Sequence, residues 1–420
     1  MTRPCALASA LLLFTACSSQ KPACQRAPGP WALTIAPAPI AIAANSSEPQ
    51  LTRHAGGAIL SWVEHGPTGA TLKFAERRAT AGWSPVQTAA AGSDWFLSWA
   101  DVPSVSRLAD GTLVAHWLKN VDPLIEAYDL MLATSRDDGR TWATPLTPHH
   151  DRTRTQHGFA SVFAWPDAAR PGFGVIWLDG RDQELNTSDP LGGSMALYQA
   201  RFDATGKQIA ESAVNAKVCE CCSTSVAMTS SGPIAAFRDR SDQEVRDIHV
   251  SRFENGAWSA PTAVHADNWR IDACPVNGPA IAAEGATVAV AWFAVTKEEG
   301  HSYAAFSRDG GRSFGAPIRL DDAASIGHVG IEMLGDGAAA ATWVEFTDRR
   351  ARLRVRRIEA SGARSAPVEI AGAGAMHVSG HPRIVRAGSD LLLAWTESTG
   401  EGADGAGQQV RAATAAIPSR

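Results

Sequence analysis

A short apolar pattern that recurs along most of the chain constrains the fold more than any other feature. Seven copies follow one another at intervals of 51 to 60 residues. A weaker strand pattern ending in a glycine-containing turn precedes each copy, and an alternating apolar and polar pattern follows it. Short runs of this kind, separated by turns, predict β-strands. The copies are centred on Trp62, Trp117, Trp177, Phe237, Trp292, Trp343 and Trp395.

Six of the seven units continue into a fourth strand pattern, whereas the seventh ends after residues 410–417. Four strands in a unit of roughly 50 residues are typical of a propeller blade. The segment from Trp31 to Ile35 has the pattern of the missing strand, and its pairing with the last blade would leave no open edge. We therefore predict one all-β domain over residues 31–420, a seven-bladed propeller of four-stranded antiparallel blades. A six-bladed ring with one degenerate unit is the alternative.

The first residues predict export. A basic start is followed by an apolar run of nine residues, 6–14, which is too short to remain as a membrane-spanning helix. The next residues, LFTAC, resemble a bacterial lipobox that ends at Cys17, the residue that would be acylated. We predict a signal peptide over 1–16, a tether over 17–30 and lipid anchoring in the bacterial cell envelope; cleavage of a plain signal peptide nearby is the alternative. No acidic residue follows Cys17 directly, which by resemblance to Gram-negative lipoproteins indicates the outer membrane.

Composition narrows the range of partners. The net charge is −5, with acidic and basic residues interspersed, so no nucleic-acid partner is expected. The 14 tryptophans, 37 glycines and 24 prolines suit many short strands joined by tight turns. We expect a monomer that contacts the membrane through its N-terminal lipid.

Two turns share the motif Ser-x-Asp-x-Gly-x-Thr/Ser-aromatic. The aspartate accepts bonds from turn amides, the glycine adopts a positive φ and the aromatic ring packs between strands. These turns resemble the Asp-boxes (BNR repeats) of the sialidase, or neuraminidase, superfamily. The resemblance covers residues 31–417 and implies a sialidase-like propeller in which the boxes are structural and lie away from the active site. The motif residues are Ser135, Asp137, Gly139, Thr141 and Trp142, and Ser307, Asp309, Gly311, Ser313 and Phe314.

The resemblance also implies a catalytic apparatus that the sequence reproduces only in part. Sialidases use three arginines for the substrate carboxylate, a tyrosine paired with a glutamate as nucleophile, and an aspartate as acid. Arg53 is the comparable N-terminal arginine, but no Arg-Ile-Pro segment follows it. The three tyrosines, Tyr128, Tyr198 and Tyr303, lie beside or within third strands, away from the expected position of a nucleophile. We therefore do not expect the retaining sialidase mechanism.

One face of the predicted propeller, here called the mouth, collects the loops that enter innermost strands and leave second strands. Asp179 with Arg181 and Arg238 with Asp239 and Arg240 occupy matching positions in adjacent blades. One interpretation is a clamp for an anionic or hydroxyl-rich ligand, with Asp179 and Asp239 as general acid or base. The other is a salt-bridge network between blades. Further candidate ligand contacts are Arg53, Trp99 and His157.

Cysteines are the more specific feature of the mouth. Cys219 and Cys274 each precede the central aromatic residue of neighbouring blades by 18 residues, and His377 has the same spacing in the last blade. Cys221 and Cys222 follow closely. Three interpretations are open: structural disulfides between blades four and five, such as Cys219 or Cys221 to Cys274; a copper or zinc site; and a vicinal or redox Cys221–Cys222 pair.

Two functional hypotheses follow. The first is a lipid-anchored, sialidase-like propeller that recognises a glycan or another polar ligand at its mouth, with glycoside hydrolysis as an extension. The second is a non-hydrolytic envelope lipoprotein whose cysteine- and histidine-rich mouth binds a soft metal or a partner protein.

Overall fold

The computed structural model describes residues 31–78, 82–122, 125–165, 171–183, 194–348, 350–372, 378–398 and 407–418. The predicted signal peptide and tether, including Cys17, lie outside the described residues, as does His377. Within the described ranges, no helix has the length and apolar composition needed to cross a bilayer.

The described strands form seven antiparallel sheets, which are the seven blades predicted from the repeats. Blade 1 contains β2 (Ser46–His54), β3 (Gly57–Gly66), β4 (Gly69–Arg78), β5 (Gly82–Trp83) and β6 (Gln87–Gly92). Blade 2 contains β7 (Ser104–Arg107), β8 (Leu113–Asp122) and β9 (Ala127–Ser135). Blade 3 contains β10 (His157–Ala164), β11 (Gly172–Asp179), β12 (Met195–Asp203) and β13 (Gln208–Val218).

The remaining four blades follow the same order from the axis outward. Blade 4 contains β14 (Ser225–Thr229), β15 (Gly232–Arg238), β16 (Ile248–Glu254), β17 (Ala257–Trp258) and β18 (Thr262–Ala263). Blade 5 contains β19 (Ala280–Glu284), β20 (Thr287–Thr296), β21 (Glu299–Ser307) and β22 (Ile318–Arg319). Blade 6 contains β23 (Ser325–Met333), β24 (Ala338–Thr347), β25 (Arg350–Glu359) and β26 (Val368–Gly372). Blade 7 contains β27 (Val378–Ala387), β28 (Asp390–Ser398), β29 (Gln408–Ala416) and β1 (Ile35–Pro37).

The second strand of each blade is buried on both faces. In β28, Leu391 and Leu393 pack toward blade 6, whereas Leu392 and Ala394 pack toward blade 1. Successive side chains of a strand point to opposite faces, so a strand packed on both sides must be apolar at every position. The seven hydrophobic clusters accordingly occupy the seven interfaces between neighbouring blades.

The ring closes through its N-terminal strand, at a position shifted from the prediction. The sequence predicts a strand from Trp31 to Ile35, but pairing with β29 begins at Ile35 and ends at Pro37. Trp31 and Leu33 are instead buried in the cluster between blades 6 and 7. The first residues of the predicted strand therefore contribute side chains to the core and no pairs to the sheet.

Blade 2 departs from the predicted four strands. The segment from Thr141 to Leu146 forms only an isolated bridge between Leu132 and Leu146. Ala143 also donates its N–H to the carbonyl oxygen of Thr134 at 2.8 Å, so the segment follows β9 without forming a regular ladder.

The two motif turns lie between third and fourth strand positions, on the face opposite the mouth. In the first, Asp137 accepts bonds from the backbone and hydroxyl of Thr141, at 2.9 and 2.7 Å. These bonds, with one from Ser135, hold the pKa of Asp137 at about 2. Gly139 has a φ of 84°, and Trp142 meets Phe74 of blade 1 edge-on at 6.1 Å. In the second turn, Asp309 accepts the corresponding bonds from Ser313.

Closure by the N-terminal segment generates a stability prediction. Trp31→Ala should lower the free energy of unfolding by about 3–5 kcal/mol, because it leaves a large cavity between blades 6 and 7. Urea unfolding followed by tryptophan fluorescence and circular dichroism measures this loss. Ile209→Ala, on an outer strand where the side chain is 47% exposed, is the control and should change little. Equal stability of Trp31→Ala and wild type would show that the ring closes without this side chain.

Candidate functional site

The inner strands of four blades are distorted where they enter the mouth. Register shifts occur in β2 between Ser47 and Gln50, and in β10, β23 and β27 at corresponding places. Within these bulges Glu48, Phe159 and His328 have φ values of 57°, 53° and 52°. A bulge interrupts strand pairing and redirects a side chain, and bulges are common beside active sites. The mouth is therefore shaped by backbone irregularities repeated around the ring.

An aromatic stack lies across the mouth. The Trp99 ring is 5.7 Å from the His328 ring and 5.9 Å from the His381 ring, nearly parallel to both. Burial lowers the pKa of His328 to about 4 and that of His381 well below its usual value. Trp99 is 45% exposed. The stack thus presents an indole ring to solvent above two neutral imidazoles.

Two buried carboxyl groups, those of Glu48 and Asp101, also lie at the mouth. Burial raises the pKa of Glu48, and the charge of Asp101 raises it further. Burial raises the pKa of Asp101 to about 7. Among the described residues, Glu48 Oε2 and Asp101 Oδ2 have no hydrogen-bond partner. A Cβ on Gly158 would lie 2.0 Å from Asp101 Oδ2 and 2.8 Å from Tyr128 Cε2, so glycine is required for this close approach.

Tyr128 is nearer to this pair than the sequence indicates. It lies within third strand β9, as Tyr198 and Tyr303 lie within β12 and β21. Its ring, however, contacts the same glycine as the Asp101 carboxyl group. Burial and then the charge of Asp101 raise the pKa of Tyr128 well above its usual value, so the phenol is protonated near neutral pH.

Four cysteines come together where blades 4 and 5 meet the mouth. The Cys219 sulfur lies 3.0 Å from that of Cys222 and 3.9 Å from that of Cys221. All four cysteines, Cys274 included, are unbonded thiols, whereas a disulfide has an S–S distance of about 2.05 Å. The structure therefore does not support the predicted disulfides or the vicinal pair. It does support the expected convergence of the sulfurs.

The thiols differ in their ionisation. Burial opposes ionisation of Cys219, but hydrogen bonds from Cys221 and Cys222 and the charge of Arg238 outweigh it and hold the pKa well below its usual range. A hydrogen bond from Cys221 lowers the pKa of Cys274. The pKa of Cys221 is raised by its bonds to the other thiols, and that of Cys222 chiefly by burial. Ionisation is therefore favoured at Cys219 and Cys274 and opposed at Cys221 and Cys222.

A buried ionic network surrounds the cysteines. Arg246 contacts the Cys219 sulfur at 3.4 Å and Glu220 at 2.9 Å. Arg240 pairs with Glu220 and, at 2.8 Å, with Glu244. Two guanidinium groups thus balance the carboxylates and thiolates. These contacts favour the salt-bridge interpretation of Arg240 over the ligand clamp.

Arg238 and Arg53 also have protein partners. Arg238 is buried, and its guanidinium donates to the carbonyl oxygens of Arg246, Asn277 and Phe293 at 2.6 to 3.0 Å, tying blade 4 to blade 5. Arg53 lies at the opposite end of its inner strand from the mouth, where it pairs with Glu332 at 2.7 Å. Arg238 therefore connects neighbouring blades, whereas Arg53 connects the inner strands of blades 1 and 6.

Asp179 and Arg181 form a local pair in blade 3. Arg181 donates two bonds of 2.8 Å to the Asp179 carboxylate, and the Trp177 indole donates a third of 2.7 Å. The indoles of Trp62 and Trp343 likewise donate to the glutamates two residues further on, Glu64 and Glu345. This contact could have been predicted from the sequence, where the Trp-x-Asp/Glu spacing is repeated.

Asp239 and His157 are in different surroundings. Asp239 accepts a bond of 2.6 Å from Asn215. His157 lies 3.2 Å from Asp151 and 3.8 Å from Asp179, in a cluster separate from the sulfurs. The expected convergence of imidazoles on the cysteines is thus not observed for His157 and His328.

A channel of about 700 Å³ runs between the inner strands. His381 belongs both to its wall and to the aromatic stack, so the stack stands at the mouth end of the channel. Arg53, Glu332 and Arg383 also line the channel.

Comparison with known proteins supports the fold. No family model and no curated protein matches the chain. Among solved structures it is similar to the phage phi92 endosialidase, at 9% identity and a TM-score of 0.50 over 92% of this chain and 70% of that one. It is similar to NanB sialidase from Streptococcus pneumoniae, at 9% identity and 0.46 over 86% and 83%. It is also similar to the polysaccharide lyase Uly1, at 10% identity and 0.49 over 88% and 90%. These likenesses concern the fold, a sialidase-like propeller, and no particular activity.

The carboxyl pair predicts a dependence of stability on pH. Because the pKa of Asp101 is about 7 when folded and about 3.9 when unfolded, the unfolded chain releases this proton first as pH rises. The contribution of Asp101 to stability therefore falls between these values and stays low above them. Asp101→Asn should raise the free energy of unfolding by about 2–4 kcal/mol near pH 8 and change it little near pH 4.

Urea unfolding of both proteins at the two pH values measures this difference. Asp94→Asn is the control, because the Asp94 side chain is 54% exposed and pairs with Lys119 at the surface. A stabilisation by Asp101→Asn that is the same at both pH values would contradict the raised pKa.

Proposed function

We propose that the protein is an exported, lipid-anchored propeller that binds a soft metal ion, copper(I) or zinc, through the cysteine cluster at its mouth. The observation that supports this most directly is the spacing of Cys219, Cys221 and Cys222, whose sulfurs all lie within 4.8 Å of one another without a bond between them. The apolar leader and the LFTAC segment support export and lipid anchoring.

The spacing suits coordination. Sulfurs bound at about 2.3 Å to one tetrahedral zinc ion lie about 3.8 Å apart. The 3.9 Å between Cys219 and Cys221 is close to that value, and the 3.0 Å between Cys219 and Cys222 requires only a small separation on binding. Thiolate ligands select copper(I) and zinc among common ions. Cys274, whose side chain shares a hydrogen bond with that of Cys221, is the candidate fourth ligand.

The surroundings also suit thiolates. Arg246 lies against the Cys219 sulfur, and the buried Arg238 adds a second positive charge. Positive charge favours ionised sulfur, which is the form that binds metal. Binding would then displace the protons that Cys221 and Cys222 retain.

Metal content and thiol counting test the proposal. Protein purified anaerobically with copper(I) or zinc should contain about one ion at this cluster, and Cys222→Ser should lose it. Ser223→Ala, at the next position, is the matched control and should keep it. After denaturation and removal of metal, the wild type should show at least two reactive thiols beyond Cys24. Protein in which Cys24 holds the only reactive thiol would instead contain disulfides, and the proposal would fail.

A second candidate function, recognition of a glycan or other polar ligand at the mouth, is favoured by the exposed Trp99 ring. Aromatic faces bind the apolar faces of sugars, and carboxyl groups bind their hydroxyls. Glu48 and Asp101 place two buried carboxyl groups at the same mouth. Envelope location would give the protein access to surface polysaccharides.

Fluorescence titration with lactose and an α-sialyl-lactose tests this candidate. We expect saturable binding to the wild type that weakens about tenfold or more in Trp99→Ala, the range typical for loss of a central aromatic contact. Trp142→Ala, on the opposite face, is the control and should bind normally. Release of free sialic acid would add hydrolysis to binding. Absence of saturable binding to either sugar would count against glycan recognition.

A further inference from the structure

Two histidines near the mouth, on the blade 3 side of blade 2, stack on each other beside a carboxylate. His149, in the loop that leads into β10, and His157, the first residue of β10, have ring centroids 3.7 Å apart and planes within 4° of parallel. His157 is fully buried and His149 is 6% exposed. Asp129, on β9, lies 3.6 Å from His149 Nε2 and 4.0 Å from His157 Nδ1, measured to the same oxygen, Oδ1.

The nitrogens that face Asp129 lack hydrogen-bond partners. His149 Nε2 and His157 Nδ1 are both buried and unpaired within the described part of the chain. Buried polar atoms are normally bonded, so two such atoms directed at one carboxylate oxygen require an explanation. Neither the loop that contains His149 nor strand β10 provides a hydrogen-bond partner for these nitrogens.

Asp151 contacts both rings from the opposite side. His157 Nε2 bonds to Asp151 Oδ2 at 3.2 Å, and His149 Nδ1 lies 3.3 Å from Asp151 Oδ1. Thr153 in turn bonds to Asp151 through its backbone N–H at 3.1 Å. One ring nitrogen of His149, one of His157 and one carboxylate oxygen of Asp129 lie within 4.8 Å of one another, close enough for a single ion to contact all three.

We infer that Asp129, His149 and His157 form a binding site for a divalent transition-metal cation, with Asp151 orienting both histidines. A cation between these three atoms would give both unpaired ring nitrogens a partner. Donor atoms bound at about 2.1 Å to one tetrahedral ion lie about 3.4 Å apart, close to the separations observed here. Two imidazoles and one carboxylate suit zinc and its neighbours in the transition series.

The site is distinct from the cysteine cluster and differs from it in chemistry. It contains nitrogen and oxygen donors and lies between blades 2 and 3, whereas the sulfurs lie between blades 4 and 5. The side chain of Asp129 is 27% exposed, so the carboxylate side is open to solvent and leaves room for a further ligand. Three protein ligands and an open position are the arrangement of catalytic rather than structural zinc sites.

Zinc titration of the full chain by calorimetry tests the inference. We expect a second zinc ion in addition to that of the cysteine cluster, with an affinity that falls at least about tenfold in His149→Ala and in Asp129→Asn. Cobalt(II) bound there should give weak visible bands without the intense sulfur-to-metal absorption that thiolates produce. Cys222→Ser should leave this site intact, so failure here and failure of the cysteine proposal are distinguishable.

The neighbouring histidine provides a matched control. His150 has an exposed side chain and pairs with Glu211 at 2.9 Å, outside the cluster. His150→Ala should bind zinc as the wild type does. Circular dichroism and melting temperature establish that the variants are folded. Unchanged zinc stoichiometry and affinity in both His149→Ala and Asp129→Asn would overturn the inference.

Discussion

Burial of the second strand of every blade between two neighbours is the constraint on which the rest of the structure depends. A strand such as β28 has a hydrophobic cluster on each face, so no blade has a complete core without the blades beside it. The ring is therefore stable only when closed, which explains why residues from Trp31 onward return to the last blade. The apolar repeat in the sequence is the direct consequence of this two-sided packing.

Closure of the ring also determines where irregular backbone is tolerated. The second and third strands of a blade pair with strands on both sides, whereas the entry of each inner strand borders the open mouth. The bulges at Glu48, Phe159 and His328 are located there, with positive φ values that cost free energy in residues other than glycine. Hydrophobic packing between neighbouring blades offsets this cost in free energy. As a result, the mouth contains side chains directed away from the regular pleat.

The sequence predicts the fold well and the site in part, for one physical reason. The number of blades and the positions of the second strands can be predicted from the recurring apolar pattern, because each copy of the pattern marks a strand that is buried in the same way. The convergence of Cys219 with Cys274 follows from equal spacing within adjacent repeats. Asp101 and Glu48 are missed because their position depends on bulges and loops that no period records. His149 is missed for the same reason, since a loop of irregular course brings it against His157.

The hydrogen-bond partners of each charged residue distinguish residues that stabilise the ring from residues that could bind a ligand. Carboxylates at the ends of second strands, such as Asp179 and Glu345, accept bonds from the indole two residues earlier, and so they fix the tryptophan that joins two blades. Repetition of this contact in different blades indicates a role in the ring. Among the described residues, His149 Nε2 and Asp101 Oδ2 are buried without hydrogen-bond partners, and each occurs in one blade. The indole nitrogens of Trp83, Trp142 and Trp258 also lack partners in the described part of the chain, but they occupy equivalent positions in three blades. Buried polar atoms are normally bonded, so an unpaired atom that occurs in a single blade, such as His149 Nε2, marks a candidate position for binding another molecule or ion.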